Sequence, residues 1–266
     1  MLDLSKIKLE EKTYACDLCK DMSYVESNEN DFDFFEENGE FIDGKLVITN
    51  TYYKRCKCDL QKRFERKLEQ AGLGAIREKI LNVEYKTTYK WQKDAYDVAK
   101  RFVTNNNKGL IISGQTGSGK TLLLSKMLYN FAVKGKDIMY FAWYKNYSSQ
   151  LVDRYNVINQ DLLRKMLDVD VLYIDDLFKT RDNSMDDIYN KRQEIEVFWQ
   201  IVDYRAVDST KKTMISTELL ESDFLKLDEA LWGRMLELVE SMEFWVQMNP
   251  KENRNIRALK AMGEFK

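Results

Sequence analysis

From about residue 89 onward, hydrophobic and polar positions follow two alternating patterns. GLIIS (109–113), DIMYFAW (137–143), VLYI (171–174) and KTMIST (212–217) are short, near-continuous apolar runs that read as strands buried on both faces. Between them, apolar residues recur every three or four positions. WQKDAYDVAKRFVTN (91–105), TLLLSKMLYNFAVK (121–134), DLLRKMLD (161–168) and EIEVFWQIVDYRAV (194–207) therefore read as helices. DEALWGRMLELVE (228–240) and KENRNIRALKAM (251–262) are two more, separated by a last strand within SMEFWVQM (241–248). Strands alternating with helices predict an α/β fold built on a parallel sheet covered on both faces.

The first third keeps neither pattern for long. Residues 26–43 carry eight acidic side chains and no basic one, so they read first as a solvated loop, with Phe32, Phe34, Phe35 and Phe41 as a partner-binding strip in the alternative reading. Residues 54–67 reverse the balance, with seven basic side chains against two acidic. A helix is expected there, running to about Gln70 and stopped by AGLG (71–74). The expected organisation is an N-terminal module over 1–75, a hinge over 76–88 and a nucleotide-binding domain over 89–266.

Composition narrows the chemistry. The net charge of the 266 residues is −2, so any contact with nucleic acid must be a local patch. Histidine is absent, which removes imidazole from catalysis and from metal binding. No run of eighteen apolar residues suggests a membrane span, and the N-terminus lacks the apolar core of an export signal. The expected compartment is the cytoplasm, where the four cysteines are ligands or free thiols rather than disulfides.

Four of the eleven glycines fall between Gly109 and Gly119. Gly114, Gly119, Lys120 and Thr121 fit the Walker A spacing, with Gln115, Thr116, Gly117 and Ser118 as the intervening loop. Phosphates are bound there by converging backbone N–H groups, which side chains would obstruct. Lys120 is the expected contact to the β- and γ-phosphates of ATP, and Thr121 the expected ligand of Mg²⁺. VLYIDD (171–176) then delivers two carboxylates at the end of a buried strand, the Walker B pattern. Asp175 would hold Mg²⁺, directly or through water, and Asp176 would orient the attacking water as a base. Cys16 with Cys19 and Cys56 with Cys58 suit a closed, structural tetrahedral Zn²⁺ site; a redox pair or four unrelated thiols are the other readings.

Taken together, YACDLCK, KRCKCDLQKRFERKLEQAGL, GQTGSGKT, VLYIDDLFK, TMISTE and LDEALWGRMLE resemble the DnaC/DnaI-type replicative helicase loaders, especially phage-borne ones. The resemblance covers nearly the whole chain, with 26–43 as the clearest insertion. It implies an AAA+ P-loop ATPase core behind a small zinc module. It also implies delivery of a DnaB-type helicase onto single-stranded DNA. By the same resemblance Thr217 and Glu218 end the sensor 1 strand, Arg234 is the arginine finger and Arg257 the sensor 2 arginine. A finger acts on a neighbour's nucleotide, so self-assembly is implied; read from the residues alone, a helix-surface ion pair is the favoured reading of Arg234. STE in place of a sensor 1 asparagine, and Asp176 in place of a glutamate, imply slow hydrolysis. Two other readings share the core: a transposition helper ATPase of the IstB kind, and a nucleotide-gated single-strand-binding adaptor with little turnover. Lys145, Lys179 and Arg181 are the candidate DNA contacts, near aromatics Phe141 and Trp143 that fit a core strand as well as a stacking platform.

Overall fold

The computed structural model describes residues 15–31, 34–43, 45–153, 155, 157–180, 188, 192–248, 255, 261 and 263. The chain divides into two compact units, 1–67 and 68–266.

The first unit holds a three-stranded antiparallel sheet in the order β1-β3-β2, with β1 at Tyr24–Ser27, β2 at Phe34–Ile42 and β3 at Lys45–Arg55. Most of the acidic run expected as a loop is therefore strand. Its alternation is visible once paired: Phe41 faces Leu46 across the ladder and Gly39 faces Ile48, while Glu40 faces Val47 on the other side. Period-2 alternation puts Phe41, Leu46 and Ile48 on one face and Glu36 and Glu40 on the opposite one. Eight acids made the segment look solvated, and solvated it is: Phe41, Leu46 and Ile48 are all exposed. Helix α1 (Lys57–Gln70) starts directly after Cys56.

In the second unit, a 3-10 turn at Gly74–Ile76 and helix α2 (Arg77–Asn82) lie where a hinge was expected to begin. They are packed, not free. Leu73 and Ile80 are buried, Tyr140 N–H donates to the Ala71 carbonyl at 2.7 Å, and Lys126 Nζ donates to the Ile80 carbonyl at 2.6 Å. Helix α3 (Lys90–Thr104) precedes the sheet. The strands are β4 (Gly109–Gly114), β5 (Ile138–Ala142), β6 (Val171–Leu177), β7 (Lys212–Thr217) and β8 (Trp245–Met248). They form one sheet in the order β5-β6-β7-β4-β8, every neighbouring pair parallel. The AAA+ P-loop core shows in this order: the phosphate-loop strand β4 sits inside the sheet, one strand away from the Walker B strand β6.

The interior is apolar in the way the runs predict. Leu110, Ile111, Ile112, Leu172, Ile174, Met214 and Ile215 are all at 0% exposure. Helix α4 (Lys120–Val133) packs on β5, β6 and β7, while α7 (Arg192–Val207) packs on α6 (Gln160–Asp168) and α9 (Glu229–Val239). Two short helices, α5 (Trp143–Asn146) and α8 (Glu221–Leu227), complete the set named here. The helix expected over 251–262 lies outside the described residues.

One charged residue is built into this core. Arg205 on α7 is fully buried; its guanidinium donates to the carbonyls of Met166, Leu167, Val169, Asp170 and Lys212 and to Thr213 Oγ1, over 2.7–3.4 Å. It thereby ties the end of α6 to the starts of β6 and β7. Burial pulls its pKa down to about 10, so it stays charged at neutral pH. Removing it would take a donor from five carbonyls, of which Asp170 keeps the Lys212 N–H; each of the others would cost about 1–3 kcal/mol if left with no partner and no water. Arg205→Ala is expected to destabilise the ATPase unit by about 3 kcal/mol or more, and Arg205→Lys, which lacks the planar fork, to recover only a minor part. Urea unfolding of the three proteins measures this; equal midpoints would show that the network contributes nothing.

Candidate nucleotide site and cysteine cluster

The loop between β4 and α4 has the shape its glycines allow. Gly114 lies at φ 125° and its missing Cβ leaves room for the Met248 carbonyl on the adjoining strand. Gly117 lies at φ 73° beneath the Asn255 side chain. These backbone turns are favourable only for glycine. Lys120 is 5% exposed, and its Nζ donates to the carbonyls of Gly114 at 2.6 Å and Gln115 at 2.9 Å. Burial, the largest influence on it, draws its pKa from 10.5 down to about 8. Ser118 Oγ is buried without a hydrogen-bond partner. A loop with an orphaned hydroxyl and a desolvated ammonium fits a phosphate chain.

Asp175 ends the apolar run of β6 and is the most heavily coordinated carboxylate here. Oδ1 accepts from Thr121 Oγ1 at 3.0 Å and Tyr173 OH at 2.6 Å, and also from Ser216 Oγ; Oδ2 accepts from Tyr140 OH at 2.9 Å. Burial first, and the Asp175 charge second, raise both tyrosine pKa values, so both phenols remain donors. Thr121 and Asp175 lie together as a Mg²⁺ pair needs.

Asp176 turns away. It has φ 55° and Phe178 has φ 54°, and the register of β6 against β7 shifts between Ile174 and Leu177. The Asp176 carboxylate lies 3.3 Å from Lys179 Nζ, and Lys179 lies 3.0 Å from Glu218. Burial, then Asp175, raises the pKa of Asp176 above the usual carboxylate range. Asp176, Lys179 and Glu218 line one cavity with Lys120, Thr121 and residues 116–119, to which Lys79 and Val83 contribute from the α2 side.

The other sequence candidates fall elsewhere. Thr217 is buried, donating to the Leu177 carbonyl at 2.9 Å; its neighbour Ser216 is the residue that reaches the acidic pair, accepting from Asp176 N–H at 3.1 Å. Arg234 pairs with Asp203 at 2.8 Å and with Glu237 at 2.5 Å, all within its own chain. Lys145 is exposed on α5, while Phe141 and Trp143 are core side chains. Arg181 and Arg257 lie outside the described residues. Tyr140, Tyr173, Ser216 and Lys79 were not read as site residues from the sequence.

In the N-terminal unit, all four cysteine Sγ atoms lie within 4.8 Å of one another. Cys16 and Cys56 are 3.7 Å apart, and Cys19 and Cys58 are 3.5 Å apart. Tetrahedral thiolates about 2.3 Å from zinc stand about 3.8 Å from each other. The cluster therefore fits a zinc ion, whereas a disulfide would need sulfurs at about 2.0 Å. Local structure prepares it. The Asp21 carboxylate accepts the N–H groups of Ala15 and Cys16 at 3.1 Å each, and Cys56 N–H donates to the Ser23 carbonyl at 2.8 Å. Asp59, one residue past Cys58, holds Arg55 and Arg63 at 3.2 and 2.7 Å.

Residues 91–222 match the family described as Novel STAND NTPase 3. The uncharacterized protein YqaM of Bacillus subtilis (strain 168) is 30% identical over 215 residues, covering 74% of this chain and 66% of that protein. XkdC of the phage-like element PBSX in the same strain is 26% identical over 213 residues, covering 73% of this chain and 76% of that protein. The crystal structure of DnaI is 20% identical, with a TM-score of 0.49 over 66% of this chain and 93% of that one. The chain is thus similar along most of its length to YqaM and to XkdC of a phage-like element. It spans 66% of the length of YqaM. Among the described residues, no helix is long and apolar enough to cross a membrane.

Two outcomes are expected. Protein purified without chelator should contain about one zinc per chain by elemental analysis, as a single four-cysteine site requires, and Cys58→Ser should lose it. Absence of metal from the wild-type protein would refute the site. For Lys120, a phosphate favours the charged form. Unfolded lysine binds its proton up to about pH 10.5 and the free folded site only to about 8. Folding is therefore penalised below about pH 8, and the penalty fades as pH rises towards 10.5. Nucleotide binding reverses the shift, so it should take up close to one proton near pH 9 and almost none near pH 7. Calorimetry in buffers of differing ionisation enthalpy reads the uptake, which Lys120→Arg should abolish.

Proposed function

We propose that the protein is an ATP-dependent loader that delivers a DnaB-type replicative helicase onto single-stranded DNA in the cytoplasm. The carrying observation is the conjunction of a Walker A loop and a four-hydroxyl Walker B clamp with a cysteine-clustered module in one chain. The residues support a division of labour. Lys120 and the loop N–H groups bind the triphosphate, and Thr121 with Asp175 would hold Mg²⁺. Bound Mg²⁺ supplies positive charge to the β- and γ-phosphates. Asp176, whose pKa burial raises, is the group placed to orient the attacking water. The N-terminal module, with zinc in its cysteines, grips the helicase; its hairpin exposes Phe41, Leu46 and Ile48, an apolar surface suited to a protein partner. Lys145 and Arg181 are offered as strand contacts, and Arg257 as the second nucleotide-sensing arginine.

Self-assembly through Arg234 is part of this reading. The arginine must leave Asp203 and Glu237 to reach a neighbour's γ-phosphate. Its side chain is 36% exposed, and solvent-screened pairs of that kind are weak, so leaving costs little. A second reading has its own observation: Lys179 occupies Asp176, which suits a nucleotide-gated adaptor with little turnover.

The central test places the purified ring helicase on circular single-stranded DNA with this protein and ATP. Loading above the helicase-alone level supports the reading, and its absence with folded, ATP-binding protein refutes it. Asp176→Asn should bind ATP and lose hydrolysis. Steady-state turnover that does not respond to single-stranded DNA and is unchanged in Asp176→Asn would favour the adaptor. For Arg234→Ala and Lys120→Ala, each inactive alone, mixtures should regain ATPase because some interfaces join an intact loop to an intact arginine. If both mutants co-assemble and no mixture recovers, Arg234 is a helix ion pair only.

A further inference from the structure

Lys179 has no role in the Walker pattern, yet the fold constrains it closely. The chain turns at the end of β6 through two non-glycine residues in the left-handed region, Asp176 at φ 55° and Phe178 at φ 54°. Such residues cost of order 1–3 kcal/mol each and persist only where their surroundings hold them. Phe178 is what holds this turn. It is 1% exposed and packs against Trp143, Phe198 and Phe224 with ring centroids 6.1, 5.3 and 6.2 Å away. Lys179 N–H closes the turn onto the Asp176 carbonyl at 3.3 Å. The side chain is thereby folded back into the phosphate cavity, where Asp176 and Glu218 hold its Nζ at 3.3 and 3.0 Å.

We propose that Lys179 is a γ-phosphate contact by which the site distinguishes a nucleoside triphosphate from a diphosphate. This rests on the nucleotide-binding reading above. The ammonium has three N–H donors, of which the two carboxylates use two. Its position beside Asp176, the group placed at the attacking water, is where the terminal phosphate must end. Lys120, from the loop side, reaches the β-phosphate common to both nucleotides as well as the γ-phosphate; Lys179, from the Walker B side, serves only the one that differs. In the free protein, Asp176 and Glu218 keep the second ammonium in place and neutralised. When the γ-phosphate arrives it competes for that ammonium and frees Asp176 to act on water. The same placement withdraws Lys179 from the role of an outward DNA contact.

The test measures nucleotide preference and not turnover. Wild type, Lys179→Arg and the double variant Lys179→Gln/Glu218→Gln are titrated calorimetrically with ADP and with a non-hydrolysable ATP analogue, both with Mg²⁺. The double variant removes one charge of each sign, so the net charge of the cavity is kept. Its affinity for the ATP analogue should fall about tenfold, equivalent to about 1.4 kcal/mol, with ADP affinity within about twofold of wild type. Lys179→Arg should keep the wild-type preference. A double variant with the wild-type ratio of affinities, or one that loses both nucleotides equally, overturns the proposal. Wild type that binds neither nucleotide overturns the nucleotide-binding reading itself, a separate result.

Discussion

The Asp175 carboxylate organises this molecule. Four hydroxyls converge on it from four elements: Thr121 from α4, Tyr140 from β5, Tyr173 from β6 and Ser216 from β7. A buried carboxylate with no partners would be expensive, and it would shed its charge by taking a proton. Here four neutral donors satisfy the carboxylate oxygens. The same bonds fix the phosphate-loop helix against three strands at once. Moving Asp175 by the width of one hydrogen bond would disturb the sheet and the loop together.

From this fixed point the chain leaves at once by the left-handed turn. Asp175 is held by four hydroxyls, whereas the side chain of Asp176, the next residue, is held by Lys179 among the described residues. The pairing lets one strand end carry two carboxylates in different states. The first is clamped by hydroxyls, and the second has its pKa raised by burial and by the charge beside it. Environments that separate the behaviour of adjacent acids are how one site assigns them separate roles. Phe178 makes the separation possible, because its burial stabilises a backbone that an aspartate and a phenylalanine would otherwise avoid.

Much of this was legible in the sequence, for physical reasons. Apolar runs four to seven residues long can be satisfied only inside a covered sheet, and all five strands fall on the expected runs. The glycines and Lys120 announce the loop because no other residue types tolerate its backbone and its ligand. What escaped was set by pairing between distant segments. Tyr173 lies two residues before Asp175 and therefore on the same face of β6, and Tyr140 is its ladder partner; both look like ordinary strand aromatics until the register is known. Ser216 was overlooked in favour of Thr217, because a one-residue step on a strand reverses the side chain and the sequence does not show which face meets the phosphate. The hairpin over 34–55 was hidden by its charges: Phe34-Phe35, Glu36-Glu37 and Phe41-Ile42 come in adjacent pairs that break a period of two, and Phe41, Leu46 and Ile48 are exposed. Arg205 reads as one more charge on an amphipathic helix, and only the converging carbonyls of 166–170 and 212 make it a core residue.

The cavity supplies partners to its own cations. Lys120 rests on the Gly114 and Gln115 carbonyls, and Lys179 rests on Asp176 and Glu218. Both lysines are thus held near their working positions before any ligand arrives, and a phosphate that replaces carbonyls or carboxylates inherits side chains already ordered. This preorganisation reduces the entropy lost on binding. It also means that binding breaks specific contacts, and those contacts belong to strand ends. The Lys179–Glu218 pair links the Walker B turn to the end of β7, from which α8 and then α9, the helix of Arg234, depart. Ligand charge would there be exchanged for internal charge at the junction of the sheet with its C-terminal helices.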